Sequence, residues 1–115
     1  MIERIQIGPR MSQAVVHGNM VYLAGQVADD KTADIATQTH QCLATIDRLL
    51  AQAGTSKSSL LTMSVFLADI GDFAAMNEVY DRWIDPANPP TRACVEAKLA
   101  DPGYKVEFVA VAVKS

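Results

Sequence analysis

The stretch Leu60-Leu61-Thr62-Met63-Ser64-Val65-Phe66-Leu67 lies between two segments of helical periodicity, and its reading decides the architecture. It is short, apolar and well suited to a pleated surface. Its alternation sets Leu61, Met63, Val65 and Leu67 on one face, so a strand buried on at least that face is expected over 60–67. Working back from it, Ile35, Thr39, Cys42, Leu43, Ile46, Leu49, Leu50 and Ala53 recur at three- and four-residue spacing. That is one helical stripe over about 33–53, and Gly54 stops it. Working forward, Asp69 offers an N-cap to a second helix, in which Phe73, Met76, Asn77, Tyr80, Trp83 and Ile84 share a face before Pro86, Pro89 and Pro90 end it.

A β-rich pattern lies beyond each helix. Ala14–His17 and Met20–Ala24 flank Gly18-Asn19, a pair suited to a primed hairpin turn. Near the other end, Thr91–Leu99 and Lys105–Val113 flank Asp101-Pro102-Gly103-Tyr104. There Pro at the second position and Gly at the third predict a type II turn and a second hairpin. The order hairpin, helix, strand, helix, hairpin predicts an α+β fold, with two helices on one face of a mostly antiparallel sheet. In the last strand Val109, Val111 and Val113 alternate with Phe108, Ala110 and Ala112. Both of its faces are apolar, so a partner subunit is the expected cover for the face the helices leave open.

At 115 residues the chain predicts one domain over 1–115, and with half its residues hydrophobic it can build a core without disulfides or metal. The net charge of −3 and ten scattered Lys and Arg supply no basic stripe, which argues against nucleic-acid partners. No apolar run reaches the length of a signal core or a membrane span. Cys42 and Cys94 form no C-x-x-C pattern, so two free thiols in a reducing cytoplasm are expected. His17 and His40 are isolated from other ligand-type residues, and no metal is expected.

Five segments together resemble the RidA/YjgF (Rid) family. They are Gly8-Pro9 followed by Ser12-Gln13-Ala14, Val21-Tyr22-Leu23-Ala24-Gly25-Gln26-Val27, Asp72–Tyr80, Pro90-Thr91-Arg92-Ala93-Cys94-Val95, and Tyr104-Lys105-Val106-Glu107. They occur in the family's order and span nearly the whole chain. The resemblance implies a chorismate-mutase-like fold and a homotrimer with three ligand clefts between subunits. In active members it also implies hydrolysis of reactive enamines or imines such as 2-aminoacrylate to a 2-keto acid and ammonia, with no cofactor. Arg92, Cys94, Asn77 and Glu107 match the family's site. Met11 stands where active members carry Tyr, and Ala24 where they usually carry Ser or Thr, so two hydroxyls are absent.

The guanidinium fork of Arg92 suits bidentate capture of a carboxylate, against the plainer reading of a surface arginine or an intersubunit ion pair. Cys94 is either a thiol nucleophile or a small buried residue; the family implies that its backbone meets the ligand. Asn77, polar on an apolar helical face, needs hydrogen-bond partners and is expected to brace the segment carrying Arg92. In a closed terminal hairpin Glu107 falls opposite Lys98, roughly 13 Å beyond Cys94. Either it pairs with Lys98, or a neighbouring subunit brings it to Arg92. Two functions remain open at this point: a hydrolase in which Arg92 and Glu107 are catalytic and Cys94, Asn77, Met11 and Ala24 line the substrate, or a non-catalytic binder of small carboxylates.

Overall fold

The computed structural model describes residues 1–114. Six strands run in the order β1 (Ile2–Ile7), β2 (Ser12–His17), β3 (Met20–Leu23), β4 (Leu60–Leu67), β5 (Thr91–Glu96) and β6 (Val106–Val113). Helix α1 (Ile35–Gln52) joins β3 to β4, and α2 (Phe73–Trp83) joins β4 to β5. The strands form one sheet in the order β1-β2-β3-β6-β4-β5, in which β4 and β5 are parallel and the other pairs antiparallel. Both helices pack on one face, giving the expected α+β class. No described helix is long and apolar enough to cross a membrane.

Local chemistry explains the boundaries. The Asp34 carboxylate accepts from the Thr37 N–H at 2.8 Å and caps the start of α1. At its end Gly54 takes φ 86°, the left-handed conformation that lets the chain leave the helix. Gly18 takes φ 61° in the β2–β3 hairpin, as a primed turn with glycine at its first central position requires. The core lies between sheet and helices. Met63, Val65 and Leu67 of β4 and Phe108, Ala110 and Ala112 of β6 meet Leu43, Ile46 and Leu50 of α1 and Met76 of α2.

Four expectations are corrected. The terminal hairpin does not form: β5 pairs in parallel with β4, and β6 inserts between β3 and β4. A strand, helix and strand in succession make parallel neighbours through the helical crossover, and the loop after β5 carries the chain past the end of β4. The turn at Asp101 closes with the Tyr104 N–H on the Asp101 carbonyl at 3.1 Å. Gly103 lacks the positive φ of a type II turn; here glycine serves because an added Cβ would lie 2.8 Å from Lys31 Cβ. In β4 a register shift between Leu60 and Thr62 buries Leu60 and leaves Leu61 44% exposed, so Leu61 is off the core face. Asp69 caps a 3-10 turn, Ile70–Asp72, rather than α2 itself. A further strand, β1, went unforeseen.

The face away from the helices carries Val15, Tyr22, Phe66, Val95, Val109 and Val111, set there by the register of the paired strands. Tyr22 and Val95 are each nearly half exposed. Among the described residues no element covers that face.

Candidate functional site

Arg92 is the second residue of β5, an edge strand, and pairs with buried Met63 of β4. Its side chain therefore leaves the sheet on the helix side. The guanidinium carbon lies 4.8 Å from the centre of the Tyr80 ring and 5.9 Å from that of Phe73, with Nη1 4.0 Å from Met76 Sδ. Two aromatic rings of α2 thus bracket the cation and limit its motion. No carboxylate among the described residues pairs with it. An intersubunit ion pair, the plainer reading weighed for this arginine, would involve a second chain; within this one its surroundings are the flank of α2.

Cys94 follows on the same face of β5, beside Val65 of β4. Burial raises its thiol pKa, and the Arg92 charge only partly opposes this, so the thiol stays protonated near neutral pH. Burial, helped by Glu107 and Asp29, pushes Cys42 in the core up to about 12. Tyr80 is raised by burial against the opposing Arg92 charge, so its hydroxyl keeps its proton. Asn77 lies on α2 next to Met76. Its Oδ1 is buried without a hydrogen-bond partner among the described residues, so the expected brace to the Arg92 segment is not made.

Glu107 lies elsewhere. It is the second residue of β6 and pairs with Phe66 of β4, which puts it on the open face, opposite in sense to Arg92. Two strand spacings and a three-residue offset separate their backbones by roughly 14 Å. The predicted pairing with Lys98 does not occur; β4 runs between β5 and β6. The Glu107 carboxylate rests over Gly25, in the space a Cβ there would occupy. Ala24 adjoins this glycine, its N–H donating to the Gln13 carbonyl at 2.9 Å. Met11, 51% exposed, sits in the bend between β1 and β2, at the same end of the strands as Gln13 and Ala24.

The six predicted residues thus form two groups. Arg92, Cys94 and Asn77 occupy the β5–α2 edge. Glu107, Ala24 and Met11 occupy the ends of β6, β3 and β2. One chain does not bring the groups together.

Two buried glutamines organise the second group and were missed from the sequence. Gln26 pairs through both backbone groups with Phe108, at 2.8 and 3.0 Å, and its side chain donates to Gln13 Oε1 at 2.9 Å and to the Ala24 carbonyl at 3.0 Å. Gln38, fully buried on α1, donates to the carbonyls of Gly103 at 3.0 Å and Ala33 at 3.1 Å and accepts from the Lys105 N–H at 2.9 Å. Gln38 had a readable signal: it falls between Ile35 and Cys42 in the apolar stripe, a polar residue where the pattern wants an apolar one. Lys31 adds an ion pair to Asp101 at 2.9 Å across the same two loops.

Comparison with known proteins bears on this arrangement. The family model described as Endoribonuclease L-PSP matches residues 1–114. A RutC family protein of Haemophilus influenzae is 47% identical over 112 residues, covering 96% of this chain and 97% of the relative. TdcF of Escherichia coli, named a reactive intermediate deaminase, is 35% identical over 95% of this chain and 89% of its own. A crystal structure of a YjgF protein family member from Neisseria meningitidis superposes with a TM-score of 0.97 at 41% identity, covering 100% of this chain and 96% of that one. Sequence and fold agree over the whole length, and the chain belongs to the Rid/YjgF family.

Proposed function

We propose that this protein hydrolyses reactive enamine or imine intermediates such as 2-aminoacrylate to a 2-keto acid and ammonia, in a cleft between subunits of a homotrimer. The observation that carries this reading is the Arg92 guanidinium, bracketed by two rings and free of any acidic partner among the described residues. A charged fork held in place without a counter-ion is prepared for a carboxylate from outside the chain. The name of TdcF points to the same chemistry, and the uncovered apolar face offers the contact surface for neighbouring copies.

The reaction asks little of the protein. Protonation of the enamine carbon gives an iminium, water adds to its carbon, and the carbinolamine expels ammonia to leave the keto acid. Arg92 fixes the substrate carboxylate, with the backbone of Cys94 beside it. Glu107 of a neighbouring copy, with no hydrogen bond or ion pair of its own among the described residues, accepts a proton from the attacking water and returns it to the departing nitrogen. The protonated thiol of Cys94 suits a chemistry with no covalent step.

The second reading, a binder of small carboxylates without turnover, is favoured by Met11 and Ala24, which carry no hydroxyl at the Glu107 end. Ammonia release from 2-aminoacrylate generated in situ by a dehydratase separates the two. Turnover above the uncatalysed rate that disappears in Arg92→Ala supports the hydrolase; background turnover with intact pyruvate binding supports the binder.

A further inference from the structure

Glu107 has an unusual way of being held. A catalytic carboxylate is commonly oriented by a hydrogen-bond donor on one of its oxygens, at the cost of the acceptor that donor occupies. Among the described residues nothing donates to the Glu107 side chain. Its backbone is instead fixed on both sides. On one side, Phe108 is locked to Gln26 by reciprocal N–H to carbonyl bonds of 2.8 and 3.0 Å, and the buried Gln26 side chain ties that bridge to Gln13 and Ala24. On the other, Gln38 receives the Lys105 N–H at 2.9 Å and holds the Gly103 carbonyl at 3.0 Å. The carboxylate between these two clamps drops into the notch over Gly25, where no side chain stands.

We propose that Gln38 and Gly25 are positioning residues for Glu107: the buried amide fixes the start of β6, the missing Cβ makes room, and both carboxylate oxygens stay free for water and substrate. This inference rests on the proton-relay role given to Glu107 above. It accounts for a fully buried amide whose partners lie in the two loops on either side of the β6 start, and for a glycine at 25 that needs no positive φ. Gln26 shares the work but also ties β2 to the segment after β3, so it is the less selective probe.

The test uses Gly25→Ala and Gln38→Met in the full-length protein. Gly25 is exposed, so its methyl pushes on the Glu107 carboxylate while leaving the core intact. Ammonia release from 2-aminoacrylate is expected to lose on the order of tenfold or more in kcat in both variants, with KM and pyruvate affinity within about twofold of the parent, because the Arg92 half is untouched. Gln38→Glu, which keeps the acceptor for Lys105 N–H, is expected to recover part of the loss. A second readout does not depend on turnover. The chain has four glutamates, so [13Cδ]glutamate labelling resolves them, and the Glu107 resonance should move in Gly25→Ala and Gln38→Met while those of Glu3, Glu78 and Glu96 stay. An unmoved Glu107 resonance in both variants overturns the proposal. So does unchanged kcat in both, provided Glu107→Gln abolishes turnover. If Glu107→Gln is itself silent, the relay reading fails instead, and the resonance shift alone decides whether the two residues place the carboxylate.

Discussion

At the scale of single residues, Arg92 has two separable roles. Its contact with Tyr80 and Phe73 is a modest stabilising term, about 0.5–2 kcal/mol for a partly exposed cation over a ring. In the proposed reaction its free guanidinium is the ligand anchor. Arg92→Ala is therefore expected to abolish pyruvate binding in calorimetric titration while lowering unfolding free energy by no more than about 2 kcal/mol. Arg92→Lys is expected to restore binding only in part, since a point charge lacks the planar fork. Unchanged affinity in Arg92→Ala rules out the anchor. At the opposite group, Met11→Tyr is expected to raise deamination by up to about a hundredfold if the new hydroxyl reaches the transition state, and the coupled ammonia assay measures it directly. The sequence marked Arg92, Glu107 and Cys94 as candidates, because guanidinium, carboxylate and thiol declare their capabilities by type. It concealed Gln26, since a glutamine is unremarkable until burial makes each of its hydrogen bonds obligatory, whereas Gln38 stood in the sequence as a polar break in the apolar stripe of α1.

At the scale of elements, the helices and β4 were legible because periodicity is a local property. The bulge in β4 was not. Alternation assigns Leu61 to the core, yet the register shift after Leu60 exchanges the two leucines. Leu60→Ala is accordingly expected to cost about 2–4 kcal/mol and Leu61→Ala less than about 1 kcal/mol in urea unfolding, the reverse of what the pattern alone suggests. Equal losses would mean that the register is not the one described. The terminal hairpin failed for a related reason. A turn at Asp101–Tyr104 does form, and a turn signal reports that the chain reverses without reporting which strand it meets afterwards. The crossover through α2 had already made β5 a parallel neighbour of β4, leaving β6 to find its place between β3 and β4. β1 escaped notice because an edge strand mixes exposed charge with its apolar residues; among its six residues only Ile5 packs on the core.

At the scale of the whole molecule, acid sensitivity follows from how the loops are tied. Asp30, Asp34, Asp85 and Asp101 are all held below their ordinary 3.8, chiefly by hydrogen bonds from Thr32, Thr37, Asn88 and Gly103 respectively. A carboxyl depressed in the folded state stabilises that state above its unfolded value and loses the contribution as pH falls through the folded one. Lys31, raised above its ordinary 10.5 by Asp101, contributes below that value and fades only as pH rises through the folded one. The melting temperature is expected to stay level from about pH 8 down to about pH 5 and to fall below about pH 4, with Asp101→Asn and Asp34→Asn flattening the acid limb, and to decline above about pH 9, because Cys42, held up at about 12 in the fold, ionises first in the unfolded chain. Scanning calorimetry across that range checks it. The uncovered sheet face leads to a second expectation, that equilibrium sedimentation at micromolar concentration finds trimers, and a stable monomer removes the shared cleft.

The opposite orientation of Arg92 and Glu107 across one sheet has a genetic consequence. Where each working cleft takes its arginine from one chain and its carboxylate from another, two inactive alleles can complement. Arg92→Ala and Glu107→Gln proteins, each dead alone, should regain activity when unfolded together and refolded as a mixture. Random assortment at equal amounts gives about a quarter of the clefts both native groups. Co-expression in one cell should do the same, and a double variant carrying both changes on one chain, mixed with the parent, should deplete activity faster than its share of the mixture.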